Sequence, residues 1–468
     1  MKYFLLSLFL MVMLVGCAPK NKSIDQAIAL LKVSDNHRYL QTEAGDPFFY
    51  LGDTGWLLFT KLTREEANVY LDNRAAKGFN VIQVMVLHTL KSCNVYGDSA
   101  LILSDVAKPL LTEGNSFTDS MQYDFWDHVD YVVDLAASKG IYMGLVPVWG
   151  SNVKGGKVSQ KQATVYAAWL ANRYKDKTNV IWLNGGDIMG SDSIKVWNAI
   201  GSTINELDAN HLITFHARGR HSSSQWFHNE DWLDFNMFQS GHRRYDQDDT
   251  EWNFGEDNWR WVEQDLAFQP AKPTIDGEPS YEGIPQGLHD GNEPYWTDSD
   301  VRRYGYWSVF AGAMGYTYGN NAIMQFHKPA DVDPAYFVKE FWDEAMDMPG
   351  AGQMQHLKKL MLSHAYFDRV QDQTLIAGEN GEKYNRVIGT RGNDYAMIYS
   401  YSGGDISVAM GKISGKEVNA KWFDPRSGEE TEIGTFKNSG TQTFTCPGEA
   451  VAGNDWVLIL EKSPTNLP

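Results

Sequence analysis

Cysteine is nearly missing: three residues in 468, at positions 17, 93 and 446. Cys93 and Cys446 lie far apart, so no disulfide framework is expected. There is no paired C-x-x-C and no H-E-x-x-H, which excludes the usual zinc sites. Basic residues are also scarce: 41 Lys plus Arg against 59 Asp plus Glu give a net charge of −18. Such a chain repels phosphate backbones, so nucleic acid is not an expected partner. No G-x-S-x-G elbow appears. The acid-rich "DQDDTEWNFGED" (246–257) carries Glu251 where an EF-hand loop needs glycine, so it reads as a solvated loop. No metal and no cofactor is expected.

Long hydrophobic runs are absent but for one, from Tyr3 to Val15, which is too short for a comfortable membrane span. Lys2 precedes it and "LVGC" ends it, so residues 1–17 read as a signal peptide whose Cys17 resembles the lipidated cysteine of a bacterial lipobox. An ordinary cleaved signal with a coincidental cysteine is the alternative. Residues 18–30 read as a tether. The expected location is the envelope of a diderm bacterium, periplasm or cell surface, with the membrane reached through the lipid anchor only. A monomer is expected.

What is plentiful is apolar and aromatic: 43% hydrophobic residues exclude global disorder, and 16 Trp, 23 Tyr and 22 Phe fill a core with some left to line a cleft. From residue 47 strand-like and helix-like segments alternate. The strands read 47–56, 79–87, 141–150, 179–187, 211–219, 233–242, 272–283 and 315–324; helices fall at 62–78, 124–140, 158–175, 193–207, 256–268, 299–312 and 354–367. Thr63 opens the first helix with a Thr-x-x-Glu capping box. Repeated strand–helix units predict a (β/α)₈ TIM barrel over 31–369. A doubly wound open sheet is the alternative, but "GDTGW" after the first strand lacks the G-x-G-x-x-G fingerprint. From 370 to 468 short alternating strands between Gly, Asn, Asp and Pro turns predict a small antiparallel β-sandwich.

In such a barrel the active site lies at the carboxyl ends of the strands. "NVIWLNGGD" (179–187) is a buried strand that ends on an acid, Asp187. The competing reading, that Asp187 caps the next helix, is weaker because Ser191, Asp192 and Ser193 stand nearer. The seventh strand delivers Glu278, with Asp276 and Glu282 as rivals. Two carboxylates are the minimal apparatus of glycoside hydrolysis, and a retaining enzyme needs them about 5–5.5 Å apart. Further candidates at strand ends, for binding substrate, are Asp53, Trp56, His88, Trp149, Asn184, His216, Arg218, Gln239, His242 and Tyr281. His216 and Gln239 are also candidates for holding Glu278 ionised.

Strand-four and strand-seven acids resemble the large clan of retaining barrel glycosidases, although "LNGGD" departs from that clan's usual Asn-Glu ending. "FYLGDTGWLLF", "WLNGGD", "DGEPSYEG" and the tail motifs "WFDPRSG" and "DWVLIL" resemble a narrower group, the apiosidases of glycoside hydrolase family 140, whose tail is often labelled collagen-binding. The resemblance covers nearly the whole chain after the signal. It implies a retaining glycosidase with Asp187 as acid/base and Glu278 as nucleophile. It also implies release of apiose-linked side chains from the pectin rhamnogalacturonan II, with the tail as a structural companion. The alternatives are a barrel endo-glycosidase, endoglucanase-like, on another plant polysaccharide, and a non-catalytic glycan-binding lipoprotein.

Overall fold

The structure is a computed structural model that describes residues 28–248 and 254–464. The signal segment, Cys17 and most of the tether lie outside the described residues. Eight parallel strands form the barrel: β1 Tyr50–Thr54, β2 Val81–Met85, β3 Tyr142–Val146, β4 Val180–Ile188, β5 Ile213–Ala217, β6 Asn236–Gln239, β7 Thr274–Asp276 and β8 Gly315–Tyr318. Their ladder runs unbroken from β6 through β7, β8 and β1 to β5. At the remaining seam Asp234 N–H donates to Ile213 O (2.9 Å), the Thr214 hydroxyl donates to Phe235 O (2.6 Å), and a short strand, His221–Ser222, pairs antiparallel with β6.

Side chains alternate along the strands. Ile82, Val84, Met143, Leu145, Trp182, Ile213 and Phe215 face outward under the helices, while Val81, Tyr142, Ile181, Leu183 and Met237 fall in a separate cluster that includes the barrel interior. In that interior Gln83 donates to Thr317 Oγ1 (2.8 Å) and to Gly277 O (3.1 Å). A polar cross-tie of this kind fixes the barrel cross-section just below its mouth.

The outer layer holds α1 Arg64–Ala76, α2 Phe125–Ser138, α3 Gln160–Tyr174, α4 Ile194–Leu207, α5 Asn258–Ala267, α6 Asp298–Phe310 and α7 Pro349–Leu362. The capping box at Thr63 is present: its hydroxyl accepts from Glu66 N–H, and the Glu66 carboxylate accepts from Thr63 N–H. Three features add to or differ from the sequence reading. Between β5 and β6 there is only a single helical turn, Ser224–Phe227. β7 stops at Asp276, four residues after its expected start, and the chain beyond it is loop. α7 begins at Pro349, five residues before the expected start, because proline is well placed in a first turn.

A three-stranded antiparallel sheet (Leu31–Val33, Leu40–Thr42, Pro47–Phe48) precedes β1. Leu30 O, at the end of the expected tether, accepts from Glu43 N–H (3.0 Å), so that end is tied to the sheet. Residues from Val370 onward form a six-stranded sheet plus a two-stranded one. One face of the larger sheet, with Ile398, Val418 and Leu458, packs with Ile406, Val408 and Phe444 of the smaller. The other face packs on α6, where Tyr399 stacks on Tyr306 (centroids 4.8 Å, 15° between planes).

Candidate active site

The end of β4 explains how a buried strand delivers an acid to a rim. After Asn184 the strand bulges: its register against β5 shifts between Gly185 and Ile188. Bulges re-aim side chains and are common beside active sites. Gly186 has φ +102°, and a Cβ there would meet the Trp149 ring at 2.4 Å. Only glycine lets the indole lie against the bulge. Asp187 itself has φ +44°, an uncommon left-handed conformation for a residue with a Cβ.

The Asp187 carboxylate opens into a cleft of about 450 Å³ at the carboxyl ends of the strands. Glu278, in the loop just past β7, lines the same cleft. One imidazole joins them. Asp187 N–H donates to His216 Nδ1 (3.3 Å), while His216 Nε2 stands 3.3 Å from Glu278 Oε2. A ring that accepts at Nδ1 is neutral and carries its proton on Nε2, so the proton faces Glu278. On the other side His242 Nε2 is 3.3 Å from Glu278 Oε1. The aromatic wall is continuous: Trp56 lies 5.3 Å from both Trp149 and His216, and Tyr281 lies 4.7 Å from His242. Trp56 Nε1–H donates to the Tyr281 hydroxyl (3.0 Å).

These surroundings drive the two carboxyls apart in acidity. Desolvation inside the cleft, then the negative charge of Glu278, raise Asp187 to about 6, against the pull of Gly219 N–H and Arg218. Asp187 is accessible to the cleft, but protein walls surround the cleft, so accessible surface there does not mean bulk hydration. Glu278 moves the other way: burial would raise it, but the flanking His216 and His242 imidazoles, His242 by a hydrogen bond and His216 at 3.3 Å, outweigh burial and hold it well below the usual carboxylate range. One protonated and one ionised carboxyl in one cleft is the division of labour that acid-assisted displacement at a glycosidic carbon requires.

The rivals of Glu278 are structural. Asp276 is still in the strand and points to the helix layer, where it accepts from Ser240 N–H (3.2 Å), the Ser240 hydroxyl (2.7 Å) and Asn258 Nδ2 (3.1 Å). Glu282 accepts from the Tyr318 hydroxyl (2.6 Å) and Gly350 N–H (3.2 Å). Strand alternation would put Asp276 and Glu278 on one face, but the strand ends at Asp276, before Glu278, and the two side chains part. Asp187 is not a helix cap, and neither is the side chain of Ser193, which occupies the N-cap of α4 without a capping hydrogen bond.

Of the expected binding residues, Trp56, His88, Trp149, Arg218, Gln239, His242 and Tyr281 line the cleft. His216 stands behind it, touching Glu278. Two do not belong there. Asp53 points outward into a buried ion pair with Arg74 Nε (2.7 Å) and accepts from the Tyr70 hydroxyl (2.6 Å). Asn184 ties β4 to α4 by donating to Trp197 O (2.8 Å). Gln239 lies in the cleft, but the second group on Glu278 is His242. Gln239 Oε1 and His242 Nδ1 are buried without a hydrogen-bond partner among the described residues.

Arg220, Arg243 and Tyr336 also line the cleft and were missed. The arginines were readable, since "ARGR" and "HRR" follow β5 and β6 directly. Tyr336 comes from a long loop after β8 whose sequence carries no such signal. Among the described residues no group of three or more His, Cys, Asp or Glu is arranged to hold a metal ion.

Fold and site thus define a glycoside hydrolase of the barrel type. Residues 34–368 match the family description "Apiosidase-like, catalytic domain", and the chain belongs to that family. Residues 370–461 match "Putative collagen-binding domain of a collagenase". A solved glycoside hydrolase is 48% identical, over 93% of this chain and 97% of that one, with a TM-score of 0.88. A glycoside hydrolase family 5 protein from Bacteroides vulgatus ATCC 8482 is 46% identical, over 93% and 94%, also with a TM-score of 0.88. No curated protein sequence matches the chain.

Proposed function

We propose that the protein is a retaining glycosidase that releases apiose-linked side chains from rhamnogalacturonan II, with Asp187 as acid/base and Glu278 as nucleophile. The observation that carries this reading is the pair of oppositely shifted carboxyls joined through His216 in one aromatic cleft. Asp187 gives its proton to the glycosidic oxygen as Glu278 attacks the anomeric carbon. The carbon–oxygen bond breaks and a glycosyl ester forms on Glu278. The ester has lost the negative charge that kept Asp187 protonated, so Asp187 now acts as base. It takes a proton from water, whose oxygen displaces Glu278 with net retention. Arg218, Arg220 and Arg243 line the cleft and offer guanidinium donors, in keeping with an acidic glycan such as pectin. Trp56 and Trp149 offer ring faces to the apolar side of a sugar. The test is to incubate the purified protein with a panel of pectic fragments and record product masses. Loss of an apiose-headed fragment is expected; cleavage of only unrelated glycans contradicts the substrate assignment.

The same reading puts the enzyme at the cell envelope of a diderm bacterium as a lipoprotein anchored through Cys17, working as a monomer. Replacing Cys17 by Ala and fractionating cells tests the anchor: release from the membrane fraction is expected, and unchanged membrane association contradicts it.

A further inference from the structure

Tyr336 lines the cleft but has no part in the chemistry above, and its backbone is strained. Tyr336 has φ +54° and Phe337 φ +51°. Two successive residues with a Cβ in the left-handed region are uncommon, and such strain persists only where the surroundings enforce it. Here they do. Just past β8, Asn320 caps the helical turn Asn321–Gln325 by accepting from Ala322 N–H (2.9 Å) and Ile323 N–H (3.2 Å). Asn321 and Gln325, four residues apart, share one face of that turn, and Gln325 Nε2 donates to Asn321 Oδ1 (3.1 Å). This buried pair grips the loop as it returns. Gln325 Oε1 accepts from Ala335 N–H (2.8 Å), and its Nε2 donates to Ala335 O (3.1 Å). Asn321 Nδ2 donates to Tyr336 O (2.9 Å), and the Tyr295 hydroxyl donates to Phe337 O (3.2 Å). Packing does not explain the strain, because Tyr336 keeps 36% of its surface exposed.

What the strain aims is the side chain. In the ring of eight strands β8 stands next to β7 and four places from β4. Tyr336, held against the turn that follows β8, thus enters the cleft from the rim opposite Asp187 and beside Glu278. Burial, then the charges of Glu278 and Asp187, raise its pKa, so the hydroxyl keeps its proton and lies in the field of both carboxyls. Among the described residues that hydroxyl has no hydrogen-bond partner, which leaves a donor and an acceptor for a ligand. A sugar whose anomeric carbon meets Glu278 and whose glycosidic oxygen meets Asp187 must place its ring between these groups. We propose that the Tyr336 hydroxyl hydrogen-bonds a hydroxyl of the sugar transferred to Glu278, and that the clamped turn holds it there, a reading that rests on the function proposed above.

The test measures kcat/KM for Tyr336→Phe, which keeps the ring, on an apiose-bearing pectic fragment and on 4-nitrophenyl apioside. The leaving group of the second carries no sugar, so a loss shared by both substrates puts the contact on the transferred sugar. Loss of one hydrogen bond should lower kcat/KM roughly tenfold on both, with the melting temperature and both limbs of the pH profile unchanged. An unchanged kcat/KM on either substrate overturns the proposal, and so does a moved limb, which would mean that Tyr336 acts through a carboxyl and not on the sugar. Binding of the pectic fragment to the full chain carrying Glu278→Gln, with and without Tyr336→Phe, is measured separately by calorimetry. Binding that weakens with Tyr336→Phe, in a protein that cleaves neither substrate with Glu278 intact, keeps the contact and sinks the hydrolytic function. Cleavage that Tyr336→Phe leaves at the wild-type rate does the reverse.

Discussion

His216 is the residue on which the site turns, because one neutral ring contacts both the Asp187 backbone and the Glu278 carboxylate. Its consequence is readable in a pH–rate profile. The working enzyme needs Asp187 protonated, and Asp187 loses its proton as pH rises through about 6, so kcat/KM should fall on the alkaline side of that value. The acid limb is set by Glu278, which must stay ionised and is held well below its ordinary value by His216 and His242. Replacing His216 by Ala removes one donor while leaving the burial, so Glu278 should titrate higher, the acid limb should move up in pH, and the bell should narrow. A profile whose acid limb does not move would show that His216 does not hold the nucleophile. The importance of His216 was only partly legible: its place at the end of β5 marked it, whereas its two-sided contact depends on the bulge in the neighbouring strand.

The bulge at the end of β4 makes an element-scale claim. Gly186→Ala puts a methyl group 2.4 Å from the Trp149 ring on a backbone with φ +102°. Strain of this sort costs roughly 1–3 kcal/mol, and the relief available is to displace the indole or flatten the bulge. Both move Asp187. A lower melting temperature with a larger loss in kcat/KM than in thermal stability is therefore expected; wild-type kcat/KM would mean that the bulge does not position the acid. Strand ends were the places where the sequence spoke least reliably. The two-faced apolar runs fixed the strand centres, but Asp53 and Asp276 looked like rim acids because each ends a run. Alternation turns both outward, to Arg74 in one case and to Ser240 and Asn258 in the other. The short β5–β6 connection was equally opaque, since a single helical turn leaves no periodic signature.

The whole molecule is held together across the barrel and the C-terminal sheet by buried charge as well as rings. Arg302 of α6 donates to Asp455 through Nε (2.9 Å) and Nη2 (2.8 Å), and both side chains are buried. Removing Asp455 leaves the buried Arg302 with Asp298 as its one remaining carboxylate partner (2.6 Å), at a cost of up to about 3–5 kcal/mol. Asp455→Ala should lower stability by that order in denaturant unfolding, and a loss below about 1 kcal/mol would show the interface to be loose. Arg303 likewise pairs with Glu256, which accepts from the Tyr384 hydroxyl (2.8 Å) of the C-terminal domain. Truncation after residue 369 uncovers Tyr306 and Phe310, which pack against Tyr399. The truncated barrel should aggregate or lose most of its activity, and a stable, fully active one would refute the supporting role. The isolated tail should not bind collagen. The two-part architecture was legible because strand–helix alternation gives way to short alternating strands near residue 370. The docking of the parts was not legible, because Arg302 and Asp455 are 153 residues apart in sequence and nothing local links them.

The most direct test of the two-carboxylate account uses Asp187→Asn with an activated substrate whose leaving group needs no proton, in the presence of azide. Glu278 should still form the glycosyl ester, and azide, which needs no general base, should capture it. NMR should then show a glycosyl azide with the configuration of the starting glycoside. An azide product of inverted configuration, or no rescue at all while Glu278→Gln retains turnover, would contradict the roles given to Asp187 and Glu278.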